Sequence, residues 1–198
     1  ASRKGLASGL STNLNNVTHL EKTIEAQPAQ IRISCSGMSK ETYEVTHTGG
    51  KWPKFSRNVE LLSKIIKKYN YKTSVEFYFH IYKHNLKEIK IARELCNKNQ
   101  FNFHPSLGII MQEFMLEYSK TKKVNPKAEA AANLLVRDID NLLDECKDQI
   151  DKNCILTRIV PVINWDMSVM PCCAYSYSEL HPNYLDIEFK DLINKRTN

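Results

Sequence analysis

The residues best able to do chemistry in this chain are its six cysteines, Cys35, Cys96, Cys146, Cys154, Cys172 and Cys173, and its six histidines. The stretch N-W-D-M-S-V-M-P-C-C, Asn164 to Cys173, sets two adjacent cysteines behind a proline, at the end of a short apolar strand. In a reducing compartment such cysteines serve as buried apolar residues or as metal ligands rather than as disulfides. Structural zinc held by the C-terminal cysteines is one alternative. A vicinal disulfide is another, opposed by its strained geometry. Cys35, Cys96 and Cys146 fall on apolar faces and are expected in the core. His19, His47, His80, His84, His104 and His181 lack the spacing of a zinc site. The chain has no phosphate loop of the G-x-x-x-x-G-K type, no G-x-S-x-G elbow and no H-E-x-x-H, which removes nucleophilic triads and zinc hydrolysis.

The elements that must position these groups alternate between strand-like and helix-like periods. Leu6 to Thr12 reads as a strand, Val17 to Gln27 as a helix, and Gln30 to Ser36 (Q-I-R-I-S-C-S) as a period-2 strand. A glycine turn at Gly37 precedes a short helix opened by S-K-E-T-Y-E, with a serine and then a glutamate as its starting signal. A longer helix follows from about Phe55 to Tyr69, then a strand from Val75 to Tyr82, a helix from about Leu86 to Asn97 and a strand from Phe101 to His104. Strands separated by helices imply right-handed crossovers and a parallel sheet, so the fold class is α/β. Beyond Gly108 come an apolar stretch, a polar linker, a helix from Pro126 to about Asp148, a small hairpin V-P-V-I-N-W-D-M-S-V-M-P and a last amphipathic helix around Ile187 to Asn194.

In parallel α/β folds functional groups collect at the carboxyl ends of strands. Those ends carry Ser11, Thr12 and Asn13; Ser34 and Ser36; His80 and Tyr82; Asn102 and His104. If Ile31, Ile33 and Cys35 face the helices, Arg32, Ser34 and Ser36 take the opposite face, and Glu76, Tyr78, His80 and Tyr82 do the same in their strand. A sheet whose second face is this polar lines a site or a wet concavity.

The net charge of +6 is spread over lysines such as Lys64, Lys67, Lys68, Lys120, Lys122 and Lys123, which fits solvated helix faces and no nucleic-acid partner. No apolar run reaches the ~18 residues of a membrane span, so no membrane partner is expected. The opening A-S-R-K-G-L-A-S-G-L lacks the apolar core of a secretory signal, so the expected localisation is cytoplasmic.

The segment I-R-I-S-C-S-G-M-S-K-E-T-Y-E-V-T-H-T-G-G-K-W with the following N-V-E-L-L resembles the fourth strand and loop of radical S-adenosylmethionine (SAM) enzymes that carry a C-terminal SPASM or twitch extension. L-S-T-N-L-N resembles their third strand and S-V-E-F-Y-F-H-I-Y-K-H-N-L-K-E-I their fifth. In that family a cysteine, a spacer of 9 to 15 residues, a glycine, four residues and a second cysteine supply the first ligands of an auxiliary iron–sulfur cluster. Here Cys154 is followed by twelve residues, Met167 at the glycine position, four residues and Cys172, with Cys173 resembling the extra cysteine common after it. Thiolates are the ligands such clusters require.

The resemblance implies a partial (β/α) barrel with parallel strands over residues 1–120, a connecting helix over 121–150 and an incomplete auxiliary-cluster region over 151–198. It implies an enzyme that cleaves SAM to a 5'-deoxyadenosyl radical, which abstracts hydrogen from a peptide or small-molecule substrate. The implied cofactors are SAM and a [4Fe-4S] cluster, and the implied partner is an electron donor such as flavodoxin or ferredoxin. By resemblance Ser34 and Ser36 contact SAM, Asn13 shapes the pocket floor, His80 and Tyr82 lie near substrate or the methionyl group, and Cys154, Cys172 and Cys173 are the metal ligands. The C-x-x-x-C-x-x-C motif of the catalytic cluster and the G-G-E motif for SAM are both missing, and the arginine that the family often has near Thr48 is replaced. The sequence therefore reads as a fragment that is inactive alone, lacking the N-terminal cluster motif. The rival reading is a non-catalytic, degenerate α/β binding module.

Overall fold

The computed structural model describes residues 5–70, 72–147, 161–170 and 181–192. Its contacts divide the chain into two units, Ala1–Met111 with Val124–Asp138, and Gln112–Lys123 with Ile139–Asn198.

In the first unit the strands are β1 (Gly9–Thr12), β2 (Gln30–Cys35), β3 (Ser74–Ile81) and β4 (Asn102–Leu107), hydrogen-bonded in that order in one parallel sheet. The crossovers carry α1 (Leu20–Glu25), α2 (Lys40–Thr46), α3 (Trp52–Tyr69) and α4 (Ile89–Asn99), the last entered through a 3₁₀ turn at Lys83–Glu88. The α/β fold class expected from the alternating periods is the one observed. The period-2 pattern assigns the faces: Ile31, Ile33 and Cys35 of β2 and Val75, Phe77 and Phe79 of β3 are buried. They belong to one core with Phe55, Val59 and Leu62 of α3 and Ala92 and Cys96 of α4. Full burial of each large apolar side chain stabilises the fold by about 1.5–3 kcal/mol.

Four local differences from the sequence reading have physical causes. Ser39 does cap α2, but its partner in the capping box is Thr42 and not a glutamate. β4 runs past the expected end at His104 because it is an edge strand, where the missing N–H of Pro105 is tolerated. Asn102 and His104 therefore sit at the start and middle of β4, not at its carboxyl end. The single helix expected from Pro126 to Asp148 is two, α6 (Glu129–Leu134) and α7 (Ile139–Lys147), following α5 (Gln112–Thr121). Leu135, 1% exposed, leaves α6 with an extended backbone, so burial of that side chain overrides continued helical periodicity.

In the second unit α5 and α7 pack together, and Tyr118 and Lys122 both bond the carboxylate of Asp140, at 2.7 Å each. The expected hairpin is present as β5 (Val162–Ile163) paired antiparallel with β6 (Val169–Met170), and residues 189–192 are helical. Among the described residues no helix is long and apolar enough to cross a membrane.

Candidate functional site

The second face of the sheet is built in rows by the parallel register. One row aligns Ser11, Arg32, Glu76 and Asn102; the next aligns Ser34, Tyr78 and His104; the last described pair is His80 and Ser106. None of these side chains is buried, whereas Ile31, Ile33 and Cys35 of β2 and Val75, Phe77 and Phe79 of β3, which alternate with them, are.

The rows are tied together. Glu76 accepts from Asn102 at 2.9 Å, lies 2.6 Å from Nε2 of His104, and also accepts from the hydroxyl of Ser74. Partial burial works against its charge, yet these hydrogen bonds hold its carboxyl below the usual carboxylate range. The His104 ring stacks on Tyr78 with centroids 4.8 Å apart, and the Arg32 guanidinium carbon lies 3.7 Å from the centre of the Tyr78 ring. Burial lowers the pKa of His80, and the positive charge of Arg32 lowers it further. Its Nδ1 is 3.2 Å from the Ser106 hydroxyl.

At the carboxyl ends of the strands lies a second cluster. The Ser36 hydroxyl is 2.6 Å from that of Thr46 and 3.0 Å from Nε2 of His47. His47 caps the C-terminus of α2 and stacks on Tyr43 at 4.2 Å. Its burial, aided by the nearby His80, pushes its pKa down from 6.5 to about 4, so the ring is neutral at neutral pH. Asn85, fully buried, donates through Nδ2 to the carbonyls of Ser36 (2.8 Å) and His80 (2.9 Å) and accepts from the Tyr82 N–H at 2.8 Å. Burial raises the pKa of Tyr82, whose ring packs so closely on Gly108 that a Cβ there would overlap it. At the end of β1, Leu14 takes φ 53° and its carbonyl accepts from buried Asn58 at 2.6 Å. Asn13 is exposed and accepts from the Asn15 N–H at 3.1 Å.

The expected site residues thus fall in two settings. Ser34 and His80 share the open face, and Tyr82 follows β3 at the carboxyl end. Ser36, 4% exposed, spends its hydroxyl on Thr46 and His47, and so supports the fold rather than facing solvent. Cys154, Cys172 and Cys173 lie outside the described residues, as does the side chain of Cys146. Cys35 and Cys96 are buried free thiols, as expected of core residues, and burial pushes both up to about 12. Among the described residues no group of three or more acidic, histidine or cysteine side chains is disposed to hold a metal ion. The sequence reading missed His47, Asn85 and Ser106. His47 precedes a T-G-G turn, which could have marked it as the residue that folds back.

Met167, which stands where the family pattern has glycine, adopts φ 69°. That left-handed backbone is the one that favours glycine, and Met167 adopts it with a side chain in place. The turn is closed by Asn164 N–H to the Ser168 carbonyl at 2.9 Å and by Met167 N–H to the Asn164 carbonyl at 3.0 Å.

No family model matches the chain, and no curated protein matches it. Among solved structures it is similar to one described as native anSMEcpe with bound AdoMet, at a TM-score of 0.53 and 17% sequence identity. The likeness covers 96% of this chain and 57% of that one, so this chain spans little more than half the length of its structural neighbour. At this identity the likeness shows the fold alone, which in this chain is a four-stranded parallel α/β sheet with a small antiparallel hairpin.

Proposed function

We propose that this chain is the central portion of a radical SAM enzyme acting on a peptide or small-molecule substrate, with SAM lying against the carboxyl ends of β1 to β3. The observation that carries the reading is the shared fold with an AdoMet-bound structure over nearly the whole chain. Where SAM and a reduced [4Fe-4S] cluster meet, the family's chemistry supplies a 5'-deoxyadenosyl radical that takes hydrogen from substrate, the electron coming from a flavodoxin or ferredoxin. The described residues offer no thiolate set for that cluster, because Cys35 and Cys96 are core thiols. What the chain itself contributes is binding and orientation. The Ser34 hydroxyl makes no side-chain hydrogen bond among the described residues and would be available to the ligand, with Asn13 at the rim. His80 is held by Ser106, while Tyr82 is seated against Gly108, so both rings are presented in fixed positions. Ser36 would act indirectly, by fixing the end of α2 through Thr46 and His47. Cys154, Cys172 and Cys173 would be ligands of an auxiliary cluster.

The buried, protonated state of both described cysteines favours a second reading, a non-catalytic α/β binding module. Equilibrium dialysis against labelled SAM, before and after anaerobic incubation with iron and sulfide, separates the two. The enzyme reading expects saturable SAM binding, weakened by Ser34→Val, and sulfide-to-iron absorption that Cys154→Ser and Cys172→Ser remove. A folded chain that binds no SAM and takes up no iron under either condition would refute it.

A further inference from the structure

Arg32 is exposed on the polar face of the sheet, and no carboxylate pairs with it among the described residues. Glu76, its neighbour in the register, is already engaged by Ser74, Asn102 and His104. Its guanidinium is nevertheless held in place. It lies 3.7 Å from the centre of the Tyr78 ring, Tyr78 stacks on His104, and His104 is pinned by Glu76. A cation braced through three side chains, and left without an ion-pair partner of its own among the described residues, is arranged to receive one. Further along the same face, Ser34 and His80 have an open hydroxyl and a neutral-leaning ring to add hydrogen bonds.

The geometry points to an anion-binding site on this face, in which Arg32 takes a carboxylate of the ligand through its two-pronged fork, so that the chain binds an acidic peptide side chain or a small organic acid. Planar bidentate recognition of carboxylate is what distinguishes guanidinium from ammonium. The alternative use of Arg32, as a partner of Glu76 within the sheet, is opposed by the hydrogen bonds that already occupy that carboxylate. The site is read from the sheet face itself, needs neither SAM nor iron, and adds a ligand class to the reading above.

The test uses the 198-residue chain with histidine side chains isotopically labelled, titrated with N-acetyl-glutamate N-methylamide and with its glutamine counterpart. The two probes differ only in the carboxylate. Expected are saturable shifts of the His80 and His104 ring signals with the glutamate probe and none with the neutral one. Arg32→Gln should weaken binding at least about 10-fold, the loss of a charge-assisted hydrogen bond, and Arg32→Lys should retain part of it. Equal responses to both probes, or an Arg32→Lys chain that binds as the native one does, would overturn the proposal; should Arg32→Gln fail to fold, the lysine variant and the neutral probe still decide. Because SAM is absent from the assay, a negative result here leaves SAM binding to be judged on its own dialysis, and the reverse also holds.

Discussion

Replacing Asn85 by alanine tests whether the candidate site residues are positioned together by one buried amide. Asn85 is 0% exposed and its side chain makes three hydrogen bonds, two to the carbonyls of Ser36 and His80 and one from the Tyr82 N–H. Truncation leaves three backbone groups without that partner. A buried polar group left unmet costs about 1–3 kcal/mol. The carbonyls keep a second lone pair, and Tyr82 and His80 are only half buried, so the low end of that range applies to each and the expected loss is about 3 kcal/mol. Asn85→Asp keeps the acceptor for Tyr82 but turns the donating amide nitrogen into a carboxylate oxygen that faces both carbonyls. Its loss should equal or exceed that of alanine at neutral pH and shrink on acidification, where a protonated carboxyl can donate once. Urea unfolding gives the free energies, and the His80 ring signals report whether the strand ends have moved. An alanine variant within about 0.5 kcal/mol of native, with His80 signals unchanged, would refute the reasoning, because it is smaller than one net hydrogen bond.

Three further outcomes follow from the same geometry. Gly37→Ala should destabilise by about 3 kcal/mol or more in urea unfolding, because its Cβ would overlap the backbone nitrogen of Tyr43 and stand 2.5 Å from Tyr43 Cα, against backbone that cannot rotate away; a loss under about 1 kcal/mol would count against the close packing of α2 on the turn. Met167→Gly should stabilise the hairpin by about 0.5–1 kcal/mol, the relief of a left-handed non-glycine residue less the added freedom of the unfolded glycine. Slower amide exchange at Val169 and Tyr184, whose N–H groups bond the carbonyls of His181 and Met167, would show it, and faster exchange would contradict it. Finally, unfolded His47 titrates near 6.5 and folded His47 near 4, so between those values the unfolded chain takes up a proton that the folded chain refuses. Stability present above pH ~6.5 should therefore fall on acidification towards pH 4. At about 1.4 kcal/mol per pKa unit, and roughly halved because water screens a half-buried ring, the loss is about 1–2 kcal/mol. His47→Gln should flatten that part of the pH profile, and parallel profiles would sink the assignment.

The parallel sheet was legible because β2 and β3 state their period twice, apolar residues facing α3 and polar ones facing away. Ser34 and His80 could be placed on the polar face on that ground alone. The end of β4 was not legible, since Pro105 reads as a strand breaker until the strand is known to be an edge. Nor was the break at Leu135, because a helical stripe does not reveal which of its members another surface will bury. Asn85 and His47 were the real omissions. Asn85 reads as an ordinary polar residue in a turn; two of its partners, Tyr82 and His80, are local, but the Ser36 carbonyl becomes its neighbour only when β2 and β3 pair. His47 lies far along the chain from Ser36, and the contact depends on the length of α2 and the direction in which its end returns. Met167 is the opposite case: the residue type does not announce a left-handed turn, while the backbone adopts the conformation that suits a glycine.

These two clusters divide the recognition chemistry of the sheet. At the carboxyl ends His47 is neutral and Ser36 is buried, so the groups there can offer hydrogen bonds and ring faces but no fixed charge. One row towards the middle of the sheet, Arg32 carries a permanent charge, and the carboxylate of Glu76 beside it is engaged by its own hydrogen-bond partners. A ligand that met this face in full would place a neutral polar portion against Ser34, His80 and Tyr82 and an anionic portion over Arg32. Moving the charge to the other end would leave it against a histidine that resists protonation. The order of the two portions along the strands is therefore set by the position of Arg32, while burial keeps the His47 and His80 rings from adding a second positive charge. A substitution that opened the Tyr43 stack to water would raise the His47 pKa towards its ordinary value and weaken that polarity, without touching Arg32 at all.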